Sequence, residues 1–323
     1  MSRAILLFIV DRLLSARSCY TAPMIDEFVQ HALDRGEKGA LWFKAIPDLI
    51  IEFEKKWGIT VGDPFNLSYN YVAPATFSGG DQAVIKIGFP EDEEFKTEID
   101  ALRVYAGDGM VKLYQADEDK SVILIERLQP GVPVTELQDD ELATRILAST
   151  LMKLRKPVPP DHRFQSMAGW ARGITRLRQR YNGTSGPFPA HLVERAEKLF
   201  DELICSITEP VLAHGDLHHG NVLSAAREQW LAIDPKGVIS EPAFDCAAIL
   251  RNPESMLIRV DSLAEVLRTR IIILSEVLRI NPDRIRKWGV AQTVLSSIWV
   301  MEDEGRVPEF ALKIAETLNA LVF

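Results

Sequence analysis

The sequence predicts an α+β protein of two lobes, a small β-rich one followed by a larger, mainly helical one. Three observations carry this expectation. At 323 residues the chain is long enough for two lobes that each bury a core. From about residue 60 the texture turns to short apolar or alternating runs separated by turn signals, as strands require. Beyond residue 130 helical periods dominate, broken by one island of β texture at 211–237. The boundaries read from these shifts are a helical extension at 1–56, a β-rich lobe at 57–129 and a helical lobe at 130–323.

In chain order, the first 23 residues open with Arg3 ahead of a short apolar run, Ala4 to Val10, which Asp11, Arg12 and Arg17 interrupt. That run is too short to span a bilayer and makes a poor secretory signal, so a loose helix or a translation-start artefact is expected there. Ile25, Phe28, Val29 and Ala32, then Leu41, Phe43, Ile46, Leu49, Ile50 and Phe53 follow helical spacing, with a break at DRGEKG. FNLSYNYVAPA and QAVIKIG read as a hairpin about the turn Ser78 to Asp81. EDEEFKTEIDALRVYAG reads as a helix, with Phe95, Ile99, Leu102 and Ala106 on one face, acidic residues in the first turn and Gly107 at its end. GMVKLYQAD and SVILIERL are the next strands, and QPGVP reads as a linker. Helices are then predicted over 138–156, 165–182, 190–206, 242–251, 262–279, 283–301 and 307–322.

Composition narrows the partners. There are 37 basic and 46 acidic residues, a net charge of −9, which argues against a nucleic-acid backbone as ligand and suits a cationic small molecule better. Cys19, Cys205 and Cys246 are odd in number and widely spaced, so neither a disulfide framework nor a zinc knuckle is suggested. A cytoplasmic protein with no membrane partner is the expectation.

The island VLAHGDLHHGNVLSAAREQWLAIDPKG concentrates the chemistry. Folding AREQ as the turn of a hairpin places Asn221 opposite Asp234, because positions equidistant from the turn face each other. Asp216 lies in the loop entering that hairpin, five residues before Asn221. Carboxylate and amide oxygens suit Mg²⁺ alongside substrate phosphates. His214 and His218 offer a competing zinc reading at i, i+4, although a zincin pair needs a helix and a Glu after the first His, where Gly215 stands.

HGDLHHGN followed by IDPKG resembles the catalytic loop and metal segment of the protein-kinase-like fold, in the form found in its aminoglycoside phosphotransferase branch. LHHGNVL, IDPKG, EPAFDCAAILRNP and LSSIWVMEDEG further resemble the streptomycin 6-kinase and hydroxyurea phosphotransferase family, over roughly residues 60–305. The resemblance implies a bilobal kinase-like fold, ATP and Mg²⁺ as cofactors, and a small-molecule acceptor. It implies that Asp216 accepts or orients the acceptor proton, that Asn221 and Asp234 hold Mg²⁺, and that Asp245 braces the catalytic loop. Lys86 in AVIKIG resembles the phosphate-positioning lysine, with Glu98 as its partner and Glu94 and Asp100 as rivals. Glu126, Arg127 and Leu128 resemble the segment that meets adenine. No GxGxxG occurs, and Asn66, Leu67 and Ser68 stand where a phosphate-covering loop is expected.

For the acceptor, Trp299 offers a flat apolar wall and Glu302, Asp303 and Glu304 an acidic cluster, set against core packing and a solvated helix end. The function expected is transfer of the γ-phosphoryl group of ATP to a hydroxyl of an aminoglycoside-like (streptomycin) or hydroxyurea-like acceptor. A sugar or metabolite kinase, a non-catalytic nucleotide-binding module and a zinc hydrolase are the alternatives.

Overall fold

A computed structural model describes residues 22–323 of the chain. The expectation for the first 23 residues falls almost wholly outside the described ones. Contacts divide the chain into two compact units, one reaching to Ile99 and resuming over Val111–Arg127, the other made of Asp100–Met110 and Leu128–Phe323.

The first unit begins with helices α1 (Ala22–Asp34) and α2 (Gly36–Trp57). Gly58, in the left-handed region at φ 63°, ends α2 and donates its N–H to Glu54 O, as glycine does at a helix C-terminus. A five-stranded antiparallel sheet follows, of β1 (Ile59–Val61), β2 (Tyr71–Phe77), β3 (Gln82–Ile87), β4 (Leu113–Asp117) and β5 (Val122–Glu126), in the order β1-β2-β3-β5-β4. The expected hairpin is β2–β3, paired from Tyr71↔Ile87 to Thr76↔Gln82. One sheet face, with Ala83, Ile85 and Ile87, packs on Phe28, Trp42, Phe43, Ile46 and Phe53 of the two helices. The period-2 alternation of a strand therefore turns Val84 and Lys86 to the opposite face. Helix α3 (Glu93–Tyr105) follows β3.

The second unit is mainly helical: α4 (Asp140–Lys153), α5 (Met167–Arg180), α6 (Ala190–Cys205), α7 (Pro242–Arg251), the short α8 (Glu254–Leu257), α9 (Leu263–Leu278), α10 (Pro282–Glu304) and α11 (Glu309–Ala320). Its core is built on aromatic edges, with Trp288 set against Phe200 and Phe244 at ring separations of 6.0 and 5.4 Å. Helix α7 is buried all along Ala243–Leu250, so its sequence is apolar on every side except where Asp245 stands.

Two small sheets cross this unit. One pairs β6 (Pro130–Pro133), β10 (Val222–Ala225) and β11 (Trp230–Ala232) in the order β11-β10-β6. The other joins β7 (Lys156–Pro157), β9 (Val211–Ala213), β12 (Val238–Ser240) and β8 (Gln165–Ser166) in the order β7-β9-β12-β8. QPGVP, read as a linker, is therefore an edge strand against β10, a position where proline is tolerated because its missing N–H faces outward. Among the described residues no helix is long and apolar enough to cross a membrane.

Candidate active site

The site loop leaves β9 at His214 and turns at Gly215, whose φ of 92° favours glycine. A Cβ there would also press on Lys236 and Trp170 at 3.1 Å. Asp245, in the first turn of α7, holds the turn from beneath: its carboxylate accepts His214 N–H at 2.9 Å and Gly215 N–H at 2.8 Å. Burial pushes this carboxyl up to about 7, against the pull of those two N–H bonds.

His214 is wholly buried. Its Nε2–H donates to Ile233 O at 2.8 Å, and Nδ1 accepts Asp216 N–H at 3.2 Å. Burial lowers its pKa to about 4, so the ring is neutral at pH 7. In His218, Nδ1 accepts Gly220 N–H at 3.0 Å, and burial lowers this ring's pKa too. A neutral imidazole has one lone pair for a metal, and in both histidines a backbone N–H occupies it. The zinc reading therefore fails on geometry.

One hydrogen bond fixes the Asp216 carboxylate, with an imidazole beside it. Arg251 Nη2 lies 3.1 Å from Oδ1 and His218 Nε2 3.8 Å from Oδ2. Burial alone would raise its pKa, but the Arg251 charge, followed by His218, Lys236 and His214, more than offsets this and holds the group below the ordinary carboxylate value. Ionised Asp216 is a hydrogen-bond acceptor of fixed orientation, as a general base needs to be.

Asn221 closes the short 3₁₀ turn His219–Asn221. Its Nδ2 donates to Asp216 O at 3.0 Å, which aims the other amide atom, Oδ1, away from that contact. The hairpin register differs by one residue from the expected one: Val222 faces Ala232, Leu223 faces Leu231 and Ser224 faces Trp230. Asn221 consequently sits opposite Ile233, whose N–H donates to Asn221 O at 2.9 Å, and not opposite Asp234. The turn is shorter than assumed, closed by Ala225 N–H to Gln229 O at 3.2 Å. Distant partners set it, since Arg227 donates to Gly107 O and Met110 O at 2.8 and 3.0 Å and Glu228 pairs with Lys153 at 2.8 Å. Asp234 lies just past the ladder at φ 56°, a left-handed conformation that Asp tolerates better than most residues. Asn221 and Asp234 thus flank the same end of the hairpin. One carboxylate and one amide oxygen fit a hard cation such as Mg²⁺, which takes few protein ligands and completes its shell with water and phosphate.

In the first unit, Lys86 Nζ donates to both oxygens of Glu98, at 2.7 and 2.8 Å, with both side chains more than nine-tenths buried. The rivals are placed elsewhere: Glu94 is exposed and Asp100 pairs with Arg163 at 2.5 Å. Glu126 N–H donates to Lys112 O at 2.8 Å, so that donor belongs to the sheet. Arg127 donates to Gln82 at 2.8 Å and Leu128 is buried. The Asn66–Ser68 loop is not a strand; Ser68 O accepts from His31 Nδ1 at 3.0 Å.

The expected acceptor residues point elsewhere. Trp299 packs edge-on against Trp170 at 5.3 Å, and Glu302 pairs with Arg176 at 2.9 Å, so both face α5; Asp303 is exposed. A pocket of about 230 Å³ opens instead at Asp216, lined among others by His218, Arg251, Glu254, Ser296 and Ser297. Helical periodicity explains why Trp299 and Glu302 do not line this pocket, because Ser296 and Val300 share one face of α10 while Trp299 and Glu302 share the next. Arg251 was a findable signal, the lone cation closing the apolar run AFDCAAILR, though a helix C-terminus accounts for such a residue equally well.

Residues 61–304 match the family model described as aminoglycoside/hydroxyurea antibiotic resistance kinase. The chain is 30% identical over 287 residues to a streptomycin 6-kinase of Streptomyces glaucescens, covering 88% of this chain and 92% of that one. It is 29% identical over 297 residues to a hydroxyurea phosphotransferase of Kitasatospora aureofaciens, covering 88% and 82%. Among solved structures, choline kinase LicA from Streptococcus pneumoniae superposes with a TM-score of 0.59 at 15% identity, over 85% of this chain and 99% of that one, a likeness of fold. A loop in which Asp245 accepts the His214 and Gly215 N–H groups and the His214 ring accepts that of Asp216, together with these matches, makes the chain a kinase-fold phosphotransferase that belongs to the aminoglycoside/hydroxyurea antibiotic resistance kinase family.

Proposed function

We propose that the protein transfers the γ-phosphoryl group of ATP to a hydroxyl of an aminoglycoside-like or hydroxyurea-like small molecule. The observation that carries this reading is the Asp216 carboxylate, held by Arg251 at the lining of a pocket. In the reaction, Asp216 takes the proton of the acceptor hydroxyl as its oxygen attacks the γ-phosphorus, and ADP leaves with the bridging oxygen. Asn221 Oδ1 and the Asp234 carboxylate are the groups suited to hold Mg²⁺. When bound, Mg²⁺ neutralises charge on the phosphates. Lys86, aligned by Glu98, supplies a fixed ammonium for the phosphate oxygens, and Glu126, Arg127 and Leu128 are assigned to the adenine. In this reading residues 57–129 form the nucleotide-binding lobe and 130–323 the acceptor-binding lobe.

The test is phosphoryl transfer from ATP by the purified full chain, with streptomycin and hydroxyurea as acceptors. Transfer to at least one is expected, abolished by chelation of Mg²⁺. Asp234→Ala should raise the Mg²⁺ concentration needed for half-maximal rate, whereas His219→Ala should not. Transfer to neither acceptor overturns this reading.

A further inference from the structure

The pocket at Asp216 has a charge balance that singles out one residue. Asp216 is compensated by Arg251 at 3.1 Å, and Arg306, also on the lining, is compensated by Glu304 at 2.5 Å. His218 carries no positive charge, because its Nδ1 accepts Gly220 N–H at 3.0 Å and so holds no proton. Glu254, exposed at the start of α8, makes no ion pair and no side-chain hydrogen bond among the described residues. Its carboxylate is thus the uncompensated charge of the lining. The charge of Arg251 is matched by Asp216, which Nη2 engages, while Nη1 is enclosed by protein and has no hydrogen-bond partner. Ser296 and Ser297 add hydroxyls to the wall; Ser297 donates to Thr293 O at 2.8 Å, which leaves its oxygen lone pairs as acceptors for N–H or O–H groups.

We propose that Glu254 is a specificity-determining residue that receives a cationic group of the acceptor while the acceptor's hydroxyl lies at Asp216. The proposal rests on the phosphotransferase reading and goes beyond it in assigning the cation's partner, which is Glu254 and not Glu302 or Asp303. The fitting class is a hydroxylated ring bearing a guanidinium or ammonium group. A volume of about 230 Å³ falls below the range of sites that enclose drug-sized ligands, so a large acceptor enters by one ring. A planar guanidinium can meet the Glu254 carboxylate with two parallel N–H···O bonds, which fixes the ring as well as attracting it.

The experiment compares wild type, Glu254→Gln, Glu254→Lys and, as a control of equal charge change, Glu302→Gln. Streptomycin serves as the cationic acceptor and hydroxyurea as the neutral one. Glu254→Gln should raise the KM for streptomycin about tenfold, and Glu254→Lys should raise it further. The kcat, the KM for ATP and any KM for hydroxyurea should stay within about twofold, because position 254 touches neither nucleotide nor the reacting atoms. The streptomycin KM of wild type should rise with salt, and that of Glu254→Gln should not. An unchanged streptomycin KM in Glu254→Gln, or transfer to hydroxyurea alone, overturns the assignment of Glu254 and leaves the kinase reading standing. Transfer to neither acceptor overturns both.

Discussion

Two ion pairs, one in each unit, hold the key side chains, and they are built differently. Lys86 and Glu98 lie twelve residues apart on a strand and the helix that follows it, more than nine-tenths buried and joined by two short bonds. Arg251 and Asp216 lie 35 residues apart on a helix end and a loop, with 15% and 24% of their side chains exposed and a single contact at 3.1 Å. The first pair is closed on itself and, in the proposed function, aims an ammonium. The second is open on one side, where the proposed function has its carboxylate meet a substrate. A buried pair is strongly coupled to stability, while a pair at a pocket is coupled chiefly to turnover.

The comparison breaks most visibly at Asp216. Replacing it by Asn keeps the shape and removes the proton acceptor, so kcat should fall by about 10²- to 10⁴-fold with the KM for ATP nearly unchanged. Steady-state kinetics decide this, and near-wild-type turnover would remove Asp216 from the reaction. At the closed pair, Glu98→Ala strands a buried ammonium and should cost about 3–5 kcal/mol of unfolding free energy, read from denaturant midpoints. A loss below about 1 kcal/mol would mean that the site admits water or a substitute anion.

Acid should loosen the second unit through its imidazoles. His214 has a folded pKa of about 4 and His219 of about 2, both depressed from 6.5 chiefly by burial. The unfolded chain therefore takes up protons first. The imidazole contribution is full above pH 6.5, declines as pH falls through 6.5, and stops declining on account of His214 only near pH 4, a span worth a few kcal/mol. Asp245, with its carboxyl pushed up to about 7, acts in the opposite sense over the same interval, so the histidine share is read as a difference: in urea titrations between pH 7 and 4, His219→Asn should lose less stability on acidification than wild type.

Arg251→Gln sharpens the contrast between the pairs. Freed from its cation, the Asp216 carboxylate loses the hydrogen bond that orients it, and kcat should drop by about tenfold with a stability loss of only about 1 kcal/mol. A stability loss as large as that of Glu98→Ala would make the second pair structural. The smallest effect is expected at the surface pair Arg176–Glu302, where Glu302→Gln should change stability by less than about 1 kcal/mol and leave the acceptor KM untouched.

The sequence by itself determined whatever depends on near neighbours. Helical and strand periods placed α2, α3 and the β2–β3 hairpin, and the order His214, Asp216, Asn221, Asp234 marked the stretch proposed as the catalytic loop, because that chemistry needs fixed residue types within one turn and one hairpin. Lys86 was recognisable as a lysine in an apolar strand, and Glu98 was one of three candidates on the next helix. What escaped depended on distant partners. Glu98 wins over Glu94 and Asp100 through the phase of α3 against the sheet and the competing pair with Arg163. The β10–β11 register is set by the anchoring of Arg227 to Gly107 and Met110, more than a hundred residues earlier, which no count from the turn's centre anticipates. QPGVP pairs as a strand because β10 presents an edge to it. The face of α10 that lines the pocket was not legible because all sides of that helix carry plausible residues, and only the packing of α5 against Trp299 and Glu302 decides which side Ser296 and Ser297 present to Asp216. Local order follows from backbone periodicity and short-range bonds that the sequence spells out, whereas register, helix phase and pocket lining are settled by whichever long-range contacts bury the most without leaving a charge or an N–H unpaired.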